Sequence, residues 1–235
     1  MIAVLVNVAT VLLGSTIGLL FKKAIRPAAA EAIIKVLGLV TMIIGIMGAI
    51  ETKSLLCLIL SVVTGLLIGR VCKLGDGLDR AGERLKKIAA FSGTGGRFSE
   101  GFVSASLLFC VGAMTIMGSL EAGISGNYSI IFTKSLLDFF SFMMLASAMG
   151  IGVSFSALFV LVFQGGITLL GSAVAPYLTT AVVTEMSAAG GVILLGMGIN
   201  MLGLSQNKLP VADVLPAILL PFLYLPLADW IGGLF

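Results

Sequence analysis

The chain has 235 residues, of which 59% are hydrophobic and only 11% charged, 14 basic against 11 acidic. With a mean hydropathy of +1.18 it cannot present a charged, soluble surface over its whole length. Histidine is absent and the three cysteines, Cys57, Cys72 and Cys110, show no CxxC spacing, which excludes a structural zinc site or a disulfide framework as the organising element.

The composition predicts an all-α, polytopic transmembrane helix bundle made of one integral membrane domain, residues 1–235. A hydrocarbon core of roughly 30 Å takes about 20 apolar residues per helical span. By that rule eight spans are expected: Ile2–Phe21, Ala32–Ile50, Ser54–Cys72, Phe102–Leu120, Ile130–Gly150, Val153–Ala175, Met186–Leu204 and Val211–Ile231.

The first span carries Asn7 at depth and a Gly14/Gly18 pair of the kind that lets helices approach closely. Lys22, Lys23, Arg26 and Lys35 follow it directly. This is the polarity of an uncleaved anchor with its N-terminus outside, not of a secretory signal. The third span has a second close-approach pair, Gly65/Gly69, and opens the largest polar stretch, residues 73–100. There Leu78, Leu85 and Ile88 recur on one helical face among Asp76, Asp79, Arg80, Glu83, Arg84, Lys86 and Lys87. A short amphipathic helix on the cytoplasmic leaflet is expected, its basic side toward anionic lipid, followed by a flexible Ser92–Gly96 link. That link is no phosphate loop, since no Gly-Lys-Ser/Thr follows it. Assigning these basic clusters and Lys208 to the cytoplasm leaves only Lys53 and Lys134 on the other side, and with eight spans both termini lie outside.

The fifth span holds Lys134 and Asp138 one helical turn apart, with Asp138 roughly 12 Å below the outer boundary at 1.5 Å per residue. Charge at that depth is costly. Two readings stay open: a proton or cation site in which Lys134 competes with the ion, or a fixed i,i+4 ion pair. From Ile130 to Ala175 the chain is nearly all apolar, and Gly150-Ile151-Gly152 is the one place to turn. It makes either a full hairpin or a re-entrant break. Gln164 in the sixth span, followed by Gly165-Gly166, and Asn200 in the seventh join Asn7 as buried amides, either interhelical glue or the lining of one cavity. Glu185 and Asp213 are read as charges at the N-termini of the seventh and eighth helices. Pro210, Pro216, Pro221 and Pro226 predict a kinked or interrupted last span.

Spans one to three and six to eight share a faint pattern. Gly14-Ser15-Thr16 echoes Gly166-Ile167-Thr168, and Glu31, Gly38 and Gly45-Ile46 echo Glu185, Gly191 and Gly198-Ile199. If this is more than chance, span directions make it an inverted repeat, the architecture of many secondary transporters.

The runs Glu121-Ala122-Gly123-Ile124-Ser125-Gly126, Lys134-Ser135-Leu136-Leu137-Asp138, Gly150–Ser156 and Gln164-Gly165-Gly166 together resemble the bacterial integral-membrane family known as domain of unknown function 554, the YdfK-like proteins. The likeness runs nearly end to end and departs at Phe139, where a glycine is expected in many relatives. The resemblance implies a bacterial inner-membrane protein and suggests transport. No nucleophile–base pair or nucleotide motif is present, so an enzyme is not expected, nor a cofactor or metal. The expected function is a small secondary transporter or ion-coupled carrier, with substrate or ion held by Asp138, Lys134, Gln164, Asn200 and Asn7. The alternative is a non-transporting scaffold or channel subunit. Expected partners are the lipid bilayer and a small solute or ion, not nucleic acid, and a homodimer is a compatible assembly.

Overall fold

The computed structural model describes residues 1–22, 26–88, 98–110 and 113–225. Within lipid a backbone donor has no water to bond, so apolar sequence closes its hydrogen bonds locally as helix. The elements are α1 (Ile2–Lys22), α2 (Pro27–Ala49), α3 (Leu55–Cys72), α4 (Leu74–Ile88), α5 (Phe98–Cys110), α6 (Ala113–Ile124), α7 (Ser129–Met149), α8 (Gly152–Val174), α9 (Thr180–Leu202) and a 3₁₀ segment, Val211–Ile218.

Six of these helices, α1, α2, α3, α7, α8 and α9, are long and apolar enough to cross a bilayer, and α5 with α6 makes a seventh if they form one span. That corrects the expected eight regular spans in two places. The fourth is broken, with α5 and α6 meeting at 64°. At the break the Thr115 hydroxyl donates to the Phe109 carbonyl at 3.1 Å, an acceptor that an unbroken helix would give to the amide four residues on. The last span begins as a 3₁₀ turn with Pro216 inside it and continues as a short helix to Leu225. Each proline removes a backbone donor, so no long α-helix forms there. Residues 226–231 of that span, and the Ser92–Gly96 link, lie outside the described residues.

Elsewhere local chemistry sets the boundaries. The Ser54 hydroxyl accepts from the Cys57 amide at 3.3 Å to start α3, and Thr179 does the same for Val182 at the start of α9. The corner between α7 and α8 needs Gly150, whose φ of +94° is closed to most side chains. It joins two full-length helices of 21 and 23 residues, so the chain turns there as a hairpin and not as a re-entrant break. The predicted amphipathic helix is α4.

Helix directions follow from which glycines meet which residues. Gly14 and Gly18 of α1 press on the backbone carbonyls of Phe139 and Met143 in α7, in the same order, so these helices run parallel. The close approach at Phe139 thus comes from α1, across from Phe139 itself. Gly38 faces Gly198 and Gly45 faces Gly191, in opposite order, so α2 and α9 run antiparallel. Gly65 and Gly69 of α3 meet Ala217 and Asp213 of the 3₁₀ segment, also antiparallel. Lipid gives little hydrophobic drive for helix association, so these backbone contacts supply much of the packing energy.

One cluster of buried residues is built around Phe109, Phe142 and Leu145, and another around Leu107, Ile116, Ile193 and Leu194. α5 contributes to both. By contrast α1, α2 and α3 show long rows of exposed large apolar residues, among them Leu13, Ile43 and Leu67. Such rows suit contact with lipid.

A side chain at Gly14 has no room to avoid the Phe139 carbonyl. Gly14→Leu should therefore lower stability by about 2 kcal/mol or more through overpacking. Gly77→Ala, where nothing lies within 4 Å, should be neutral or gain up to about 1 kcal/mol. Thermal unfolding of the purified protein in detergent separates these; equal melting temperatures would contradict the α1–α7 contact.

Candidate functional site

α1 buries one stripe, Ala3, Val4, Asn7, Val11, Gly14, Ser15 and Gly18, at helical spacing. The glycines at its far end pull this stripe onto α7, and that places Asn7 beside the buried face of α7 carrying Ile131, Lys134, Ser135 and Asp138. α8 packs on both and adds Gln164. Asn7 and Gln164 are fully buried, and Lys134 and Asp138 are 7% and 8% exposed.

The four side chains form one network. Lys134 Nζ donates to both carboxylate oxygens of Asp138 at 2.7 Å. Asn7 Nδ2 donates to Asp138 Oδ2 at 3.3 Å and to Gln164 Oε1 at 3.0 Å. The Thr10 hydroxyl donates to the Asn7 backbone carbonyl at 2.8 Å and lies 3.4 Å from the Asn7 side-chain oxygen, while the amide nitrogen faces the two acceptors. From α5, the Phe109 ring lies 4.3 Å below the Lys134 ammonium, a cation–π contact in an environment that strengthens it.

Among the described residues Gln164 Nε2 is buried with no partner, and so is the Thr168 hydroxyl one turn further along α8. A buried donor without an acceptor costs roughly 1–3 kcal/mol, which makes the α8 side of this network incomplete.

Asn200 does not join it. Predicted α9 continues to Leu204, but the helix ends at Leu202 with Gly203 in the left-handed region at φ +68°. Asn200 therefore sits in the last turn, where its side chain accepts from the Leu209 amide at 2.8 Å and donates to the Leu209 carbonyl at 2.9 Å. It braces the loop into the 3₁₀ segment and lines a separate cavity of about 450 Å³. Asp76, Asp79, Glu100, Asp213 and Lys208 also line that cavity, at the α4 end of the bundle. Lys208 pairs with Glu100 at 3.0 Å. Burial first, then the neighbouring Asp76 carboxylate, push the Asp79 carboxyl above its ordinary value.

With this geometry in view, comparison with known proteins places the chain. A family model described as "Protein of unknown function (DUF554)" matches residues 2–225. The chain belongs to the DUF554 family. It is 30% identical over 218 residues to "Uncharacterized protein YqgA" of Escherichia coli (strain K12), covering 92% of each chain. It is 28% identical over 225 residues to "Uncharacterized membrane protein YdfK" of Bacillus subtilis (strain 168), covering 94% of each. No solved structure matches. Kinship with a DUF554 membrane protein agrees with the apolar helices; neither relative's name states an activity.

Two acidic residues of this DUF554 chain serve helices other than their own. Glu185 is not at the start of its own helix but in the second turn of α9, 2% exposed. Its carboxylate accepts from the Thr52 hydroxyl and the Lys53 amide at 2.6 Å and from the Ser54 amide at 3.0 Å, and so caps the start of α3. Asp213 stands in the first turn of the 3₁₀ segment, as expected, but also accepts from the Gly75 amide at 2.7 Å at the start of α4 and pairs with Arg70 at 3.4 Å. Both carboxylates satisfy helix N-termini, each across from its own element. Sequence reasoning missed Phe109 and Thr168, which read as ordinary members of apolar runs; only the packing of α5 and α8 marks them.

Removing one member of the buried pair strands the other. Asp138→Leu should destabilise the fold by about 3–5 kcal/mol, and Lys134→Met with Asp138→Leu should recover most of that loss. A double-mutant cycle on thermal unfolding in detergent reads this directly; additive losses would contradict the coupling.

Proposed function

We propose that this protein is a small secondary transporter of the bacterial inner membrane, an ion-coupled carrier working by alternating access. The observation that carries the reading is the unpartnered Gln164 amide at the end of an otherwise complete network of buried charge. A proton or small cation that binds Asp138 releases Lys134. The freed ammonium and the Gln164 and Thr168 donors then offer a solute with hydrogen-bond acceptors a place to bind. Ion and solute are coupled because each relieves a cost that the other leaves behind.

α5 supports a route to this site. Ser104 and Leu107 line the polar cavity at the α4 end, while Phe109, further along the same helix, covers Lys134. Access from that cavity needs only a shift of the α5 tip, which ends at the break with α6. Discontinuous helices beside a charged site are common in secondary transporters.

The α2–α9 contacts support an inverted repeat. Exchanging Gly38 with Gly191 and Gly45 with Gly198 carries each of the two glycine contacts into the other. For antiparallel helices such an exchange is a two-fold rotation about an axis across the helices, which for membrane spans lies in the membrane plane. Orientation follows from charge: the α4 end gathers Lys22, Arg26, Lys35, Arg70, Lys73, Arg80, Arg84 and Lys208. We therefore assign that end to the cytoplasm and the N-terminus to the outside.

The closed pair, with both Asp138 oxygens held by Lys134 at 2.7 Å, favours a second reading. There the protein is a scaffold or channel subunit, and the network only fixes helix positions. Purified protein in liposomes separates the two. Under the carrier reading Asp138→Asn abolishes solute-driven proton or sodium movement to the level of empty liposomes, while the variant still elutes as a folded species on size exclusion, with its melting temperature lowered by the stranded Lys134. Unchanged flux, or a variant that no longer folds, would sink the carrier assignment for this residue.

A further inference from the structure

The amphipathic helix α4 sorts its charges by face. Asp76 and Asp79 line the polar cavity described above. Arg80, Arg84 and Lys73, the cap residue just before the helix, line a different and larger cavity of about 710 Å³. Positions 73, 77, 80 and 84 are spaced by four, three and four, so these cations make one row along the helix, with Gly77 filling the gap. Beside them Leu74, Leu78, Ala81 and Leu85 make a parallel apolar row that lines the same cavity.

Opposite α4 the cavity wall is apolar: Phe102 of α5 and Leu158, Phe159 and Val162 of α8. Leu158 and Val162 are open to the bilayer at 54% and 67% exposure. They lie six and ten residues into α8, so the wall runs on from the α4 end for about 15 Å into the span. The cavity is thus cationic at the membrane surface and greasy below it. Among the described residues no carboxylate forms an ion pair with Lys73, Arg80 or Arg84.

We propose that this groove is a binding site for one anionic phospholipid, its phosphate held by Lys73, Arg80 and Arg84 and one acyl chain laid along Leu158 and Val162. The charge row and the apolar wall match the two halves of such a lipid, in the order in which a lipid presents them at a leaflet. A zwitterionic lipid satisfies the wall but brings a cation to the row. A free phosphate satisfies the row but leaves the wall empty. The site is independent of the Asp138 network and holds whether or not the protein is a carrier.

The test is native mass spectrometry of the full chain, delipidated in detergent, with dioleoyl phosphatidylglycerol, dioleoyl phosphatidylcholine or sn-glycerol 3-phosphate added. The expected result is one phosphatidylglycerol adduct retained in clear preference to phosphatidylcholine. Arg80→Gln with Arg84→Gln should weaken that adduct about tenfold or more and leave the phosphatidylcholine signal unchanged. Leu158→Gln should weaken it without adding or removing a charge. All three substitutions sit on exposed positions, and melting temperatures within a few degrees of wild type confirm that they fold. Equal retention by wild type and the double Arg variant overturns the proposal. So does displacement of the lipid by millimolar glycerol phosphate, which would mark the row as a site for soluble anions.

Discussion

Burying an ammonium inside a membrane bundle is the constraint around which this protein is arranged. Lys134 is 7% exposed and cannot reach either interface without leaving its contacts, so its charge has to be met where it stands. Asp138, one turn away on the same face, meets it with both oxygens. That leaves carboxylate lone pairs to satisfy, and α1 supplies Asn7 for one of them. Asn7 can reach only because Gly14 and Gly18 let α1 lie directly on the α7 backbone. Phe109 closes the remaining side with the negative face of a ring. Three helices, α1, α5 and α7, are thus placed by the needs of one pair of charges.

The α2–α9 seam uses the same close glycine contact without the charges. α2 and α9 meet through Gly38, Gly45, Gly191 and Gly198, at which an added Cβ would fall 2.6–3.2 Å from the partner's carbonyl oxygen. Close backbone contact of this kind is what lipid-immersed helices have in place of the hydrophobic effect. It also makes the α2–α9 contact depend on register, because sliding by one residue would bring side chains against carbonyls. The α1–α7 seam combines glycine contacts with the buried ion pair, whereas the α2–α9 seam rests on glycine contacts alone.

Much of the fold was legible in the sequence because hydropathy alone decides where a helix can be. α1, α2, α3, α7 and α8 begin and end within a few residues of the apolar runs. The fourth span was not legible as two helices, since hydropathy from Phe102 to Leu120 is unbroken and the cue is one hydroxyl, Thr115, bonding a carbonyl out of register. Asn200 and Gln164 look alike in sequence, each an amide in an apolar run. They differ because Gly203 stops α9 just beyond Asn200, whereas Gln164 stands mid-helix. Glu185 has the expected chemistry, a charge at a helix N-terminus, but the helix it serves is 131 residues earlier in the chain, at Ser54. Periodicity reports on the helix a residue belongs to; it carries nothing about the helix that residue touches.

The difference between a structural staple and a working site comes down to how completely a polar network is closed. Glu185 shows what closure looks like: its carboxylate takes three donors and belongs to the architecture. The Asp138 network begins the same way and then stops short, since Asn7 is matched to two acceptors and Gln164 accepts but has nothing to donate to. If the amide served only to hold α8 to α1, a smaller acceptor on α8 would do so without burying an idle donor. Leucine-rich packing, with no polar group at all, would cost less still. An unmatched donor at the end of a chain of hydrogen bonds that starts from a charged pair is what sets this network apart from the closed one at Glu185.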